Sequence, residues 1–231
     1  MLPLSFKEYV TSTGSETDLS RKYVDYLQNS SFPYALAFAG KQKEIHEYLD
    51  GVFNTIVVKD ISLRKKITDP MMLKSILRFL FDNIGNPLSS KQIADTMTSA
   101  GRKIDTKTVE KYYVVDIGMR YMLLGSRNMD NGHILGNVIY LELLRRGYDV
   151  YVGKVDNLEV DFVATNTRET TYFQVSATVR DENTLARELR PLQSIHDHYP
   201  KYLLTLDDDP ETDFDGICKI NALNWLMGNT N

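Results

Sequence analysis

The sequence is poor in cysteine, in long apolar runs and in charge of one sign. Cys218 is the only cysteine in 231 residues, so no disulfide can form within the chain, and such usage fits a reducing cytoplasm. No stretch of about 18 consecutive apolar residues occurs, which excludes the sequence signature of a membrane-spanning helix. The opening, Met1 to Glu8, has no basic region followed by an apolar one and does not read as a secretory signal. A phosphate-cradling Gly-x-x-x-x-Gly-Lys-Ser/Thr stretch is also missing, since neither Gly14-Ser15 nor Gly40-Lys41 supplies it. ATP hydrolysis by that device is therefore excluded within this sequence. The formal net charge is −4, with 27 Lys and Arg against 31 Asp and Glu. That balance argues against nonspecific nucleic-acid binding over the whole surface and leaves room for a local basic patch.

The clearest positive signal is a hairpin. Val160, Phe162 and Ala164 alternate with Glu159, Asp161 and Val163. Asn166 to Glu169 reads as the turn, and Thr171 to Ser176 as the return strand. Facing residues on adjacent strands lie about 5 Å apart, so Asp161 and Gln174 are expected side by side. Glu159, two positions from Asp161, is expected on the same strand face. Two or three polar side chains at that spacing make half of a metal site.

Around this hairpin the chain reads as three regions. Residues 1–68 are mostly helical, with Ile45, Tyr48, Leu49, Val52 and Phe53 at helical spacing. Ser30 to Tyr34 reads as a turn, and Ile56 to Ile61 is strand-like in composition. Leu2 to Phe6 opens the chain with apolar residues that read as the interior of a larger domain. Residues 69–115 carry an apolar helix ending near Gly85 and Pro87. A second helix, capped by Ser89 or Ser90, follows, and a third begins at Asp105. That order suggests a shortened winged-helix or helix-turn-helix module. In a DNA-reading version Lys103 and Lys107 would approach phosphates or bases; in a packing module they are simply solvated. The third helix has no room to develop, because Tyr112 to Val115 is already rich in β-formers.

Residues 116–231 show a coherent α/β pattern. It comprises a helix over Asn131 to Arg146 closed by Gly147, a strand from Tyr148, the hairpin, a helix from Asn183 to Ile195, a strand over Lys201 to Leu206, an acidic loop at Asp207 to Asp209, a short strand from Gly216 and a closing helix. The fold class expected is α/β (α+β), a mixed sheet flanked by helices behind a helical N-terminal part.

Helix, strand, strand with an acid, strand with a polar triplet, helix, strand is the order of the PD-(D/E)xK nuclease core. Several stretches make a resemblance specific: Gly118-Met119-Arg120, Gly132-His133-Ile134-Leu135, Glu142 to Tyr148, Glu159 to Phe162, and Phe173 to Ser176. With Pro3 to Tyr9, Lys59 to Arg64 and Asp82 to Pro87, the chain resembles the C-terminal part of a prokaryotic family of AAA-type ATPases that end in a PD-(D/E)xK-like domain. The resemblance implies a larger parent with a nucleotide-binding half ahead of these residues. It also implies a Mg²⁺-dependent nuclease site in which two strand carboxylates hold the metal and a lysine polarises water. Asp161 matches the first acid. Gln174 stands where the second acid belongs, Ser176 where the lysine belongs, and Gly136 where the helix of the core usually shows Glu. The remainder of the third helix and the wing have no counterpart between Val109 and Lys111. The expectation is thus a degenerate core, with Asp161, Gln174 and Glu159 as its remaining site residues and Asp161 and Glu159 as its metal ligands if Mg²⁺ binds. The function expected is a non-catalytic association module with DNA, another protein or a second copy as partner. A Mg²⁺-dependent nuclease is the alternative.

Other candidates are weaker. His133, His196 and His198 have no ligand spacing with cysteine, and His196-Asp197-His198 reads as the solvated end of a helix. Asp207 to Asp209 could bind a cation or be a solvated tip. Arg120, Arg145, Arg146 and Arg180 could line a phosphate-facing groove, and Arg64 could reach a neighbouring nucleotide in an intact parent.

Overall fold

Capped helices build the first half of the molecule. In the computed structural model the residues described are 2–14, 17–65, 69–89, 92, 109–126 and 130–229. Contacts divide the chain into two compact units that meet in sequence between residues 129 and 130. The first unit opens with α1 (Phe6–Thr13). Ser5 Oγ accepts the Glu8 N–H at 3.1 Å while Glu8 Oε2 accepts the Ser5 N–H at 2.7 Å, a reciprocal capping box. Helix α2 (Leu19–Asn29) meets α1 through edge-on aromatic pairs, Phe6 with Tyr23 and Tyr26 and Tyr9 with Tyr26. Phe6 is buried among these rings, 1% exposed.

A 3₁₀ turn (Pro33–Phe38) leads into α3 (Gln42–Val52), which runs without a break through a π-helical stretch (Phe53–Asp60) into α4 (Ile61–Lys65). The strand-like composition of Ile56 to Ile61 is overridden here. Phe53 and Val58 are buried with Ile45, Leu49, Leu73 and Met119 in one apolar cluster, and that packing outweighs the β-preference of branched side chains. Helix α5 (Pro70–Asp82) is capped by Asp69, whose carboxylate accepts the Met72 N–H at 3.0 Å. Two short strands follow, β1 (Pro87–Ser89) and β2 (Val109–Lys111), paired antiparallel with Leu88 opposite Glu110. Val109 therefore begins a strand rather than continuing a helix, and Tyr112 to Val115 is not a strand. Ser89 Oγ accepts the Gln92 N–H at 3.1 Å and Gln92 Oε1 accepts the Ser89 N–H at 2.8 Å; Ser90 and the helix expected after it lie outside the described residues.

The first unit closes with α6 (Ile117–Leu124), so the compact boundary falls after this helix and not at residue 116. Its cap, Asp116, is 2% exposed. One oxygen accepts the Met119 N–H at 2.7 Å; the other accepts Ser30 Oγ at 3.0 Å, Ser31 N at 2.6 Å and Ser31 Oγ at 2.7 Å. A methyl group at Gly118 would sit 2.4 Å from the Ser30 nitrogen, so only glycine lets α6 approach this loop. Arg120, 2% exposed, donates its Nε–H to the Phe81 carbonyl at 3.0 Å and lies 3.7 Å from Asp82. Asp116, Gly118 and Arg120 are fasteners of the helical unit.

The second unit starts with α7 (Asn131–Arg145), capped by Asp130. A six-stranded sheet follows in the order β3-β4-β5-β6-β8-β7, built from β3 (Asp149–Val155), β4 (Leu158–Thr165), β5 (Thr170–Ser176), β6 (Lys201–Thr205), β7 (Thr212–Phe214) and β8 (Ile217–Asn221). The first three strands form an antiparallel meander. Helix α8 (Glu182–Gln193) then crosses over to place β6 parallel to β5, and β8 is parallel to β6. On one face Val160, Leu203 and Ile217 pack with Leu189 and Leu192 of α8. On the other, Phe162 meets Tyr140 of α7, and Phe173 meets Trp225 of α9 (Ala222–Met227). Helix, three strands, crossover helix and parallel strand give the mixed α/β class expected from the sequence.

Candidate functional site

The hairpin brings Asp161 and Gln174 together. Strands β4 and β5 are in register with Phe162 opposite Phe173 and Val163 opposite Tyr172. One step further, side chains take over from the backbone ladder. Gln174 Oε1 accepts the Asp161 N–H at 3.3 Å, and Asp161 Oδ2 accepts the Val175 N–H at 2.9 Å. Gln174, 7% exposed, donates its amide to Glu188 Oε2 of α8 at 2.9 Å. Glu188 in turn accepts the Arg187 guanidinium at 2.7 Å. The two side chains thus close the end of the hairpin by bonding each other's strands, where main-chain pairing has stopped.

Glu159 lies beyond an irregularity in β4. From Tyr151 to Gly153 on β3, the partners on β4 change from Val163 to Val160, so β4 carries one extra residue. That is a β-bulge. A methyl group at Gly153 would lie 2.7 Å from Val163 Cγ2 and 3.0 Å from Val160 Cβ. Both valines therefore face the same side of the sheet although they are three positions apart. Phe162 faces α7. Glu159 is exposed, and the extra residue of β4 interrupts the two-residue alternation on which the expectation of a shared Glu159 and Asp161 face rests.

The fit to Mg²⁺ can be judged on these contacts. A hard dication needs several oxygens free to turn toward it. One Asp161 oxygen is directed at a backbone N–H and the Gln174 carbonyl oxygen at another. Ser176 supplies no ammonium and donates its hydroxyl to the Thr178 carbonyl at 3.0 Å. At Gly136 an added methyl group would meet nothing within 4 Å, so the place where the resemblance expects a helix acid is open space. Among the described residues no group of three or more His, Cys, Asp or Glu converges as a metal cage. The residues present do not fit the ion.

The remaining candidates separate clearly. Lys103 and Lys107 lie outside the described residues. Arg145 and Arg146 both pair with Glu142, at 2.8 and 2.9 Å. Arg180 lies 3.5 Å from Asp207, and Arg64 pairs with Asp60 at 3.0 Å. Arg120 is held at the Phe81 carbonyl, so each of these arginines has an acidic or carbonyl partner. Asp207 is no solvated tip: it is 5% exposed and accepts Thr178 Oγ1 at 2.7 Å and Val179 N at 2.8 Å. Asp197 accepts the Tyr172 hydroxyl at 2.7 Å. Burial, with that bond behind it, pushes the Tyr172 phenol up to about 12. Sequence reasoning missed Glu188, because its spacing from Gln174 carries no local signal and only the crossover brings α8 over β5.

Comparison with known proteins adds relatives without a stated activity. Residues 20–114 match the family described as "Domain of unknown function (DUF8612)". The chain is similar to an uncharacterized protein of Haemophilus influenzae, 32% identical over 258 positions, covering 97% of this chain and 63% of that protein. It is also similar to an uncharacterized protein of Methanocaldococcus jannaschii, 29% identical over 208 positions, covering 71% of this chain and 46% of that protein. The alignment to the Haemophilus protein is longer than the 231 residues of this chain, so the relative carries residues within the matched span that this chain lacks. No solved structure matches the chain. The chain thus spans less than two thirds of the length of either relative.

Proposed function

We propose that this chain is a non-catalytic association module, the C-terminal part of an ATPase-type protein, whose nuclease-like sheet serves as a scaffold. The observation that carries this is the Asp161–Gln174 closure, in which the two side chains at the metal-ligand positions bond backbone N–H groups across the hairpin. The α-β-β-β-α-β order of the second unit supports the nuclease-like ancestry. The greater length of both relatives supports a larger parent. The partner is DNA approached through Lys103 and Lys107, another protein, or a second copy of the chain.

The test uses the intact chain with double- and single-stranded DNA and RNA, in the presence of Mg²⁺ or Mn²⁺. All substrates should remain intact. Metal-dependent cleavage that disappears in Asp161→Asn overturns the non-catalytic reading in favour of the nuclease. In the same preparations, retardation of DNA at low salt, weakened by salt and by Lys103→Ala with Lys107→Ala, identifies DNA as the partner. Absence of any shift at low salt removes DNA from the three.

A further inference from the structure

The opposite face of the sheet holds a cavity that the hairpin site does not use. Its volume is about 170 Å³, well below the ~300–1,000 Å³ of pockets for larger ligands. Phe173, Tyr202 and Trp225 form its aromatic walls, and Arg146, Tyr148 and Glu169 its polar ones. The Arg146 guanidinium stacks on Trp225 with its carbon 3.7 Å from the ring centroid, and it also donates to the Trp225 carbonyl at 2.8 Å. The Tyr148 hydroxyl donates to Glu169. Burial first and this hydrogen bond second push the Tyr148 phenol up to about 12, so it stays a donor near neutral pH. Thr171 also lines the cavity. It is 5% exposed and adds a hydroxyl to the wall.

We propose that this cavity binds a single planar nitrogen heterocycle of nucleobase size, lying against the wall formed by Phe173, Tyr202 and Trp225, which pack on one another, and hydrogen-bonded by Thr171 and Glu169. The wall chemistry selects this class. Arg146 and Glu169 place charges of opposite sign in the lining, which disfavours a cation and an anion alike and suits a neutral dipolar ring. Glu169 retains acceptor capacity beyond the Tyr148 bond, and so takes a ring N–H or amino group. Thr171 both donates and accepts, and suits a ring nitrogen or carbonyl. Aromatic walls with a few placed polar groups are the means by which proteins hold unstacked bases. The volume admits one ring system and leaves any sugar or phosphate outside. The ring could come as a free nucleoside or as a base splayed from a strand, with the same chemistry at the cavity. This inference does not depend on the role of Asp161 or on the association reading.

Trp225 is the only tryptophan of the chain, so its fluorescence reports on this cavity directly. The intact protein is titrated with the four common ribonucleosides and, separately, with short single-stranded oligonucleotides. Saturable quenching by at least one nucleoside or oligonucleotide is expected. Thr171→Val, which keeps the side-chain shape, and Glu169→Gln, at the exposed turn, should each weaken it about tenfold, the equivalent of one good hydrogen bond. Quenching by nucleosides identifies the free ligand as the source; quenching by oligonucleotides alone identifies a splayed base. No saturable quenching by either class overturns the proposal, and so does quenching that both variants leave unchanged. Unfolding midpoints of the variants separate loss of ligand from loss of fold, and Glu169→Gln carries the test if Thr171→Val is unstable.

Discussion

Two aspartates, one in each unit, do different work. Asp116 caps a helix and Asp161 lies within β4, and each accepts a backbone N–H from a neighbouring segment. Asp116 is 2% exposed and accepts four donors, joining the start of α6 to a serine loop 86 positions earlier in the chain. Asp161 is only partly buried, and its bridge runs to the next strand, 14 positions away. A carboxylate that gathers several charge-assisted hydrogen bonds out of water becomes a structural part that cannot be removed without leaving its donors orphaned. One with a short-range bridge and remaining access to solvent secures less. The residues that carry the family resemblance in the first unit are thus explained by packing, whereas those in the second mark a place where chemistry would need further groups.

Removing the buried aspartate should have the largest effect. Asp116→Ala orphans the Ser31 and Met119 N–H groups and two hydroxyls, and is expected to cost roughly 4 kcal/mol, read as a fall in the denaturant midpoint. Gly118→Ala should follow at about 3 kcal/mol, since a methyl group 2.4 Å from the Ser30 nitrogen forces the helix away from the loop. Thermal unfolding measures it, and a near-neutral outcome would mean that α6 can shift without loss. Asp161→Asn should cost least, about 1 kcal/mol, because the amide oxygen still accepts the Val175 N–H without the charge. A loss as large as that of Asp116→Ala would erase the contrast and make the hairpin closure the principal tie of the sheet unit.

Much of the second unit was legible in local pattern. The hairpin turn, the capped α7 with its glycine stop, and the crossover helix with inward Leu185, Leu189 and Leu192 all announce themselves within a few residues. The facing of Asp161 and Gln174 followed from the same alternation. The bulge did not, and it interrupts the alternation on which the expectation for Glu159 rested. An extra residue in β4 is defined only against β3, where Gly153 leaves space for the two valines. The helical path of Phe53 to Asp60 was hidden for a related reason: its branched residues favour strands, and the cluster formed by Ile45, Leu49, Leu73 and Met119 decides otherwise. Asp207, read as a solvated tip or a cation ligand, proved to be an anchor for the segment after β5.

The sequence by itself determined the class of fold, the caps and stops of most helices, and the absence of a phosphate-binding loop, because each is written in residues close together in the chain. Tertiary structure alone decided which polar residues meet. It placed Glu188 on Gln174, Ser30 and Ser31 on Asp116, and Arg146 on Trp225, all across different elements of the chain. Those meetings set whether a carboxylate is a ligand or a fastener, since its role depends on the donors around it and not on its position in a motif.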